Sequence, residues 1–285
     1  MGDALDGLVE LLDLEPIEVN IFRGVSPDEE RQRVFGGQVA GQALVAAGRT
    51  VADDRRVHSL HAYFLRPGDP HIPILYEVDR IRDGRSFTTR RVVAIQHGQA
   101  IFHLSASFHV DEDGVDHHDT MPDVPGPDAL PTFRERVQAM GDDVPEWFMR
   151  PRPIDTRNVQ EPFRTEGREG SEPRQQVWMR ADGQLPDDPM LHACVVAYAS
   201  DMTLLDSILL PHRDVRWEGL MMASLDHAMW FHRPFRADEW FLYDQASPSA
   251  AGARGLARGS IFRSDGALAI SVVQEGLVRQ VGAPA

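Results

Sequence analysis

The chain has 285 residues and a mass of 31.9 kDa, enough for one large domain or two small ones with a real hydrophobic core. Its formal charge of −15 excludes a sequence-independent nucleic-acid binder, which needs a basic surface to neutralise phosphates. All 29 basic residues are arginine, so Schiff-base chemistry and a P-loop lysine are excluded as well.

In chain order, residues 1–10 are acidic and lack the basic start and apolar run of a signal peptide. No segment approaches the ~18 consecutive apolar residues of a membrane span. The single cysteine, Cys194, cannot form an internal disulfide. These features predict a cytoplasmic protein without a membrane span. Residues 17–23 can supply an edge strand and 26–33 a charged connection. A helix is predicted over 38–51, where Val39, Ala40, Ala43, Leu44 and Ala47 recur at helical spacing and Gly48 offers a stop.

Residues 57–110 read as an antiparallel meander, with segments 57–66, 72–82, 85–96 and 99–110 separated by turn residues. The last segment alternates cleanly, Phe102, Leu104, Ala106, Phe108 and Val110 on one face against His103, Ser105, Ser107 and His109 on the other. Residues 111–132 hold seven acids, four prolines and no Lys or Arg, the composition of a surface connection. A short helix is predicted over 133–140, and prolines at 145, 151, 153, 162 and 173 extend the irregular region.

After that the first pattern recurs: a strand at 175–180, a helix over 190–209, then strands at 222–234, 239–247, 253–263 and 267–279. Phe64-Leu65-Arg66-Pro67 matches Phe231-His232-Arg233-Pro234, and the His97-Gly98 turn matches Asp265-Gly266, at offsets of 167 and 168 residues. Such agreement indicates a duplication. A strand, a long apolar helix and a four-stranded meander make the plan of a hotdog domain. The expected class is therefore α+β, a double hotdog of two tandem repeats. The predicted units are an N-terminal domain at 1–110, an acidic, Pro-rich linker at 111–174 and a C-terminal domain at 175–285.

Comparison of the two copies isolates polar residues at positions that should be apolar. Asp201 interrupts the helical stripe of Cys194, Ala197, Tyr198, Leu204, Leu205 and Ile208, and an unpaired buried charge there would cost several kcal/mol. Gln274 shares a strand face with Leu268, Ile270, Val272 and Val278 and matches Ala106 of the first copy. Each has a purely structural reading as a hydrogen-bonded core group. Ser224 is singled out only by its company. Asp226 and His227 are neighbours on a predicted strand, so they face opposite sides and cannot form a dyad. A carboxylate, a hydroxyl and an amide converging on one point would bind a water, with the carboxylate as general base.

The segments Val34-Phe35-Gly36-Gly37-Gln38-Val39-Ala40-Gly41-Gln42-Ala43-Leu44, His61-Ala62-Tyr63-Phe64-Leu65-Arg66-Pro67-Gly68, Tyr198-Ala199-Ser200-Asp201, Asp226 to Pro234 and Val273-Gln274-Glu275-Gly276 together resemble the acyl-CoA thioesterase II family. The resemblance implies a double hotdog fold and hydrolysis of acyl-CoA to free fatty acid and CoA, without a cofactor or metal. It also implies a water-activating Asp, Ser or Thr, and Gln, which fall on Asp201, Ser224 and Gln274. The competing class is a non-catalytic acyl-CoA binding or sensing module on the same fold.

Gly36 and Gly37 stand at the start of the first predicted helix. Their N–H groups can face an anion or oxyanion as substrate-binding donors, or the glycines can simply permit a sharp helix entry. Among the arginines, Arg80, Arg82, Arg85, Arg90, Arg91, Arg254, Arg258 and Arg263 cluster in the two meanders and are candidates for the CoA phosphates, against the plainer reading of solvated strand faces. Fused hotdog units often associate again, so a homo-oligomer, dimer or tetramer, is expected. A Gly-x-Ser-x-Gly elbow and a dinucleotide fingerprint are both absent from the sequence. His117-His118-Asp119 lies in the acidic stretch without further metal-ligating residues around it.

Overall fold

The computed structural model describes residues 2–27, 32–139, 149–160, 173–212 and 219–281. Part of the charged connection at 26–33 and the prolines at 145 and 162 lie outside the described residues.

An amphipathic helix α1 (Asp3–Leu12), which the sequence reading did not anticipate, buries Leu5, Leu8, Leu11 and Leu12 along one face. A short hairpin, β1 (Glu15–Glu18) and β2 (Ile21–Gly24), occupies the region expected to hold one edge strand. The predicted first helix is α2 (Gly36–Gly48), and it is buried all round from Gly37 to Ala47. The meander follows as β3 (Arg55–Phe64), β4 (Ile74–Asp83), β5 (Phe87–Gln96) and β6 (Gln99–Val110). His97 and Gly98, both with positive φ, form the tight turn between β5 and β6, a conformation that matches the twist of paired strands.

The acidic stretch carries a 3-10 turn at Pro127–Ala129 and helix α3 (Phe133–Gln138), whose capping box joins Thr132 and Glu135. Residues 111–120 are exposed, as expected of a surface connection, while the part that follows also packs against the sheet. Met121, Val124 and Leu130 cover a small apolar cluster around Trp178, Leu242 and Phe262, and Trp178 Nε1 donates to the Pro125 carbonyl at 2.9 Å. Within the stretch read as irregular, β7 (Ile154–Asn158) pairs with β8 (Arg174–Ala181).

The second copy continues with α4 (Pro189–Ser200), α5 (Asp206–Leu209), β9 (Leu220–Ser224), β10 (Asp226–Phe231), β11 (Phe241–Ala251), β12 (Arg254–Arg263) and β13 (Leu268–Gln280). Two predicted elements are therefore interrupted. The helix expected over 190–209 ends at Ser200, and the strand expected over 222–234 breaks at Leu225.

The strands among the described residues join one antiparallel sheet in the order β1-β2-β4-β5-β6-β3-β10-β13-β12-β11-β8-β7, with β9 also paired to β13. The order is nearly mirrored about the β3–β10 seam, where Tyr63 faces Asp226 and Ser59 faces Trp230. The matching halves confirm the expected double hotdog. Helices α2 and α4 lie against each other inside the curved sheet. Small residues set their spacing, because a Cβ at Gly37 would stand 2.4 Å from the Tyr198 carbonyl and one at Gly41 3.2 Å from that of Cys194.

Candidate active site

The interruption of the second helix places Asp201. It is the C-cap of α4, where the chain leaves the helix and begins the turn toward α5. The start of α2 approaches it so closely that a Cβ on Gly36 would lie 2.6 Å from Asp201 Oδ2. A side chain at position 36 would thus displace the Asp201 carboxylate and the Phe64 ring, and one at position 37 meets the Tyr198 backbone.

The interruption of the strand places Ser224. On β13, Gly276 faces Ser224 while Val273 faces Ala228, so four steps along β9–β10 match three along β13. That is a bulge, and Leu225 N–H and Asp226 Oδ1 both engage the Glu275 backbone there. A one-residue register shift reverses the facing of everything beyond it. Ser224 and His227, three residues apart, consequently both point to the core side, and Asp226 points away. An unbroken strand, as predicted, would have set Ser224 and His227 on opposite faces.

The three singled-out residues meet. Gln274 Nε2 donates to Asp201 Oδ1 at 2.6 Å, and Ser224 Oγ donates to the same oxygen at 3.2 Å. Burial pushes the Asp201 carboxyl up to about 6, against the opposing pull of hydrogen bonds from Gln274, Ser224 and the Gly37 backbone. The Gly37 N–H is one of the donors left without an intrahelical partner in the first turn of α2, and the positive end of that helix favours the ionised carboxylate. Asp201 is therefore poised to change protonation state near neutral pH.

Asp201 and Ser224 open onto a cavity of about 520 Å³ whose apolar walls include Phe35, Val39, Phe64, Phe102, Met202 and Leu205. Its rim carries Arg33 and Arg66. Through Arg66, Pro67, Gly68 and Ile101 it adjoins a shallower groove of about 550 Å³ that also touches His71 and His97. The deeper cavity holds two carboxyls with raised pKa, Asp201 and Asp206, beside apolar walls, as a reactive site requires.

The sequence reading missed three of these residues. Asp206 lines the cavity, and the surrounding protein raises its carboxyl to about 7 although its side chain stays open to the cavity space. Arg33 ends the charged connection at 26–33 and Arg66 sits alone in a loop, and neither was singled out as a site residue. None of the arginines proposed for phosphate binding lines either cavity. Arg90 is buried and bound to Thr50, Asp83 and nearby carbonyls. Arg91 pairs with Asp79, Arg254 with Glu275 and Arg263 with Asp265, while Arg80 donates to Asn20. Carboxylates thus engage Arg90, Arg91, Arg254 and Arg263, in keeping with the plainer structural reading of these four.

Comparison with known proteins bears on the same chain. The family described as acyl-CoA thioesterase matches residues 145–277, and the acyl-CoA thioesterase N-terminal domain matches residues 26–109. Acyl-coenzyme A thioesterase 8 of Mus musculus is 44% identical, the match covering 98% of this chain and 91% of that protein. Acyl-CoA thioesterase 2 of Haemophilus influenzae is 41% identical over 98% and 99% of the two chains. Among solved structures, an acyl-CoA thioesterase II, TesB2, from Mycobacterium marinum superposes with a TM-score of 0.82 at 49% identity, covering 96% of this chain and 99% of that one. A hot dog fold protein from Alicyclobacillus acidocaldarius, at 19% identity and TM-score 0.79 over 98% and 99% of the chains, shares the fold. With near-complete coverage at these identities, the chain belongs to the acyl-CoA thioesterase family and is a thioester hydrolase.

Proposed function

We propose that the protein hydrolyses acyl-CoA to a free fatty acid and CoA by direct attack of one water molecule held by Asp201, Ser224 and Gln274. The convergence of Gln274 Nε2 and Ser224 Oγ on Asp201 Oδ1 at the wall of an apolar cavity is the observation that carries this reading. Ionised Asp201 takes a proton from the water as its oxygen bonds to the thioester carbonyl carbon. Collapse of the tetrahedral adduct breaks the carbon–sulfur bond, and the proton held by Asp201 passes to the departing sulfur. The products are a carboxylic acid and the CoA thiol, and no atom of the protein is bonded to the acyl group at any stage.

The negative charge that develops on the carbonyl oxygen is offset by the N-terminus of α2, where Gly36 lines the cavity and the helix dipole is positive, while the neighbouring Gly37 N–H serves the Asp201 carboxylate. The acyl chain lies along the apolar walls of Phe35, Val39, Phe64 and Leu205. The CoA phosphates lie toward Arg33 and Arg66 at the rim, since arginine pairs well with phosphate oxygens.

A single-turnover reaction in heavy-oxygen water tests the water-attack step. The label is expected in the fatty acid and absent from Asp201 in the recovered protein; label in the aspartate would mean that the carboxylate itself had attacked. We place the enzyme in the cytoplasm, in lipid metabolism, as a homo-oligomer. Its one cysteine is a buried thiol, in keeping with a reducing compartment. Exposed Tyr63 and Phe87 on the outer face of the sheet offer a contact surface. Light scattering of the purified chain reports its assembly.

A further inference from the structure

Behind the Asp201 cluster lies a second polar group that the proposed reaction does not use. His227 is 1% exposed and Gln274 is fully buried. One step along the ladder from the Ala228–Val273 pair, the two stand opposite each other on β10 and β13. The duplication supplies an internal control. By the Phe64–Phe231 correspondence His227 matches Leu60, and Leu60 faces Ala106, the counterpart of Gln274. The same ladder position therefore holds an apolar pair in one half and a buried polar pair in the half with the carboxylate.

Ser200 Oγ reaches both the Ala197 carbonyl, at 3.0 Å, and the His227 ring, so its single proton can serve either. His227 Nε2 lies 2.8 Å from Ser200 Oγ. The opposite ring nitrogen, Nδ1, and the Gln274 Oε1 atom are both buried and fall outside strict hydrogen-bond geometry with any partner among the described residues. The two unpartnered atoms belong to side chains that face each other across the ladder; burial lowers the imidazole pKa to about 4, and the Gln274 side chain acts in the opposite direction. The ring is neutral at pH 7, so only one of its nitrogens carries a proton. If that proton were on Nε2, the Nδ1 lone pair would face the Gln274 carbonyl oxygen, two acceptors opposed in a buried site. The amide would then be driven to turn over and set its oxygen against the Asp201 carboxylate.

We infer that His227, held as the Nδ1–H tautomer by Ser200, is a positioning residue that locks the Gln274 amide with its NH₂ toward Asp201. In this arrangement Ser200 donates to Nε2 in place of the Ala197 carbonyl, a small turn of the ring or the amide brings Nδ1–H onto Gln274 Oε1, and Gln274 Nε2 donates to Asp201 Oδ1. The chain of donors ends on the base, and each member sets the orientation of the next. This inference rests on the proposed role of Gln274 and adds a requirement to it, namely that the amide cannot flip.

The substitutions that test it differ in which ring nitrogen they mimic. The Asn amide nitrogen is one bond from Cγ, as Nδ1 is, whereas a Gln amide reaches toward the place of Nε2. Turnover is followed as thiol release from butyryl-, octanoyl- and palmitoyl-CoA. His227→Asn is expected to stay within about threefold of the parent kcat, while His227→Gln and His227→Leu lose on the order of 10²-fold with KM changed by no more than about twofold. Equal loss in the Asn and Gln variants, or full activity in the Leu variant, overturns the inference. If the Leu variant does not fold, the Asn and Gln pair decides, because both bury one amide. Nitrogen NMR of the His227 ring in the parent protein gives a readout independent of turnover: Nδ1–H is expected, and an Nε2–H ring overturns the inference. A parent protein that releases no thiol would instead refute the proposed function, leaving the tautomer to judge the network by itself.

Discussion

Asp201 is a carboxylate that the protein holds in an unfavourable place. Its folded-state pKa of about 6 lies above the ordinary value of 3.8, so the folded chain binds this proton more tightly than the unfolded chain does. The sign follows: the stability associated with this group is fully present below about pH 4 and is lost as pH rises toward 6. Asp201→Asn removes the charge and keeps an oxygen for Gln274 to donate to. It should therefore be more stable than the parent above pH 6, by up to about 3 kcal/mol for a shift of roughly two units, and lose that advantage below pH 4. Denaturant titrations at pH 4 and pH 8 check this. The same substitution should lower kcat by about 10²- to 10⁴-fold, the usual contribution of a positioned general base.

Activity should rise with pH along a limb centred near 6, because the base must be ionised to accept a proton. Asp206, raised to about 7 in the same cavity, is the other group able to produce such a limb. A pH–rate profile of Asp206→Asn separates them: the limb near 6 is expected to remain. A limb that disappears with Asp206 would assign it to the wrong carboxylate. At this scale the candidate residues were legible in the sequence because the chain contains its own comparison. Gln274 stood where Ala106 stands, and Asp201 broke an apolar stripe. His227 enters the sequence reading only in the rejected dyad with Asp226, and an uninterrupted strand puts it on the face away from Ser224.

Among the elements, the decisive features are breaks. Helix α4 stops at Ser200, and the bulge at Leu225 shifts β9 against β10 by one position on β13. Hydrophobic periodicity over 190–209 and 222–234 runs through both, since each break keeps apolar residues on the inside. The helix entry at Gly36-Gly37 is the opposite case, where the sequence signal was plain and its meaning open. The packing answers part of it. A methyl at position 37 meets a backbone carbonyl at 2.4 Å and the Phe35 ring at 2.6 Å, which cannot be relieved by a side-chain rotation alone. Gly37→Ala is expected to cost about 1–3 kcal/mol through overpacking, and thermal unfolding measures it. Loss of activity in that variant consequently does not separate a substrate-binding role from a packing one.

For the molecule as a whole, the charge of −15 opposes an anionic substrate such as CoA, and the rim arginines provide the local exception. Arg66 is exposed and anchored to the Ala100 carbonyl at 2.6 Å. Arg66→Ala should raise KM for acyl-CoA several-fold while kcat changes little, and it should weaken the dependence of KM on salt, because screening acts on the exposed ion pairs that remain. Steady-state kinetics at low and high ionic strength check both effects.

The sequence alone determined the class of fold, the duplication and the identity of the polar outliers, because periodicity, turn residues and internal repetition are local properties of the chain. It also excluded basic-surface and lysine chemistry by composition. Only the tertiary structure decided that the two halves share one sheet through the β3–β10 seam, that the rim charges are Arg33 and Arg66, and that Asp201, Ser224 and Gln274 form one connected cluster with His227 across the ladder from Gln274. Those outcomes depend on a helix end, a one-residue register shift and the close approach of two helices, and each is set by contacts between segments far apart in the chain.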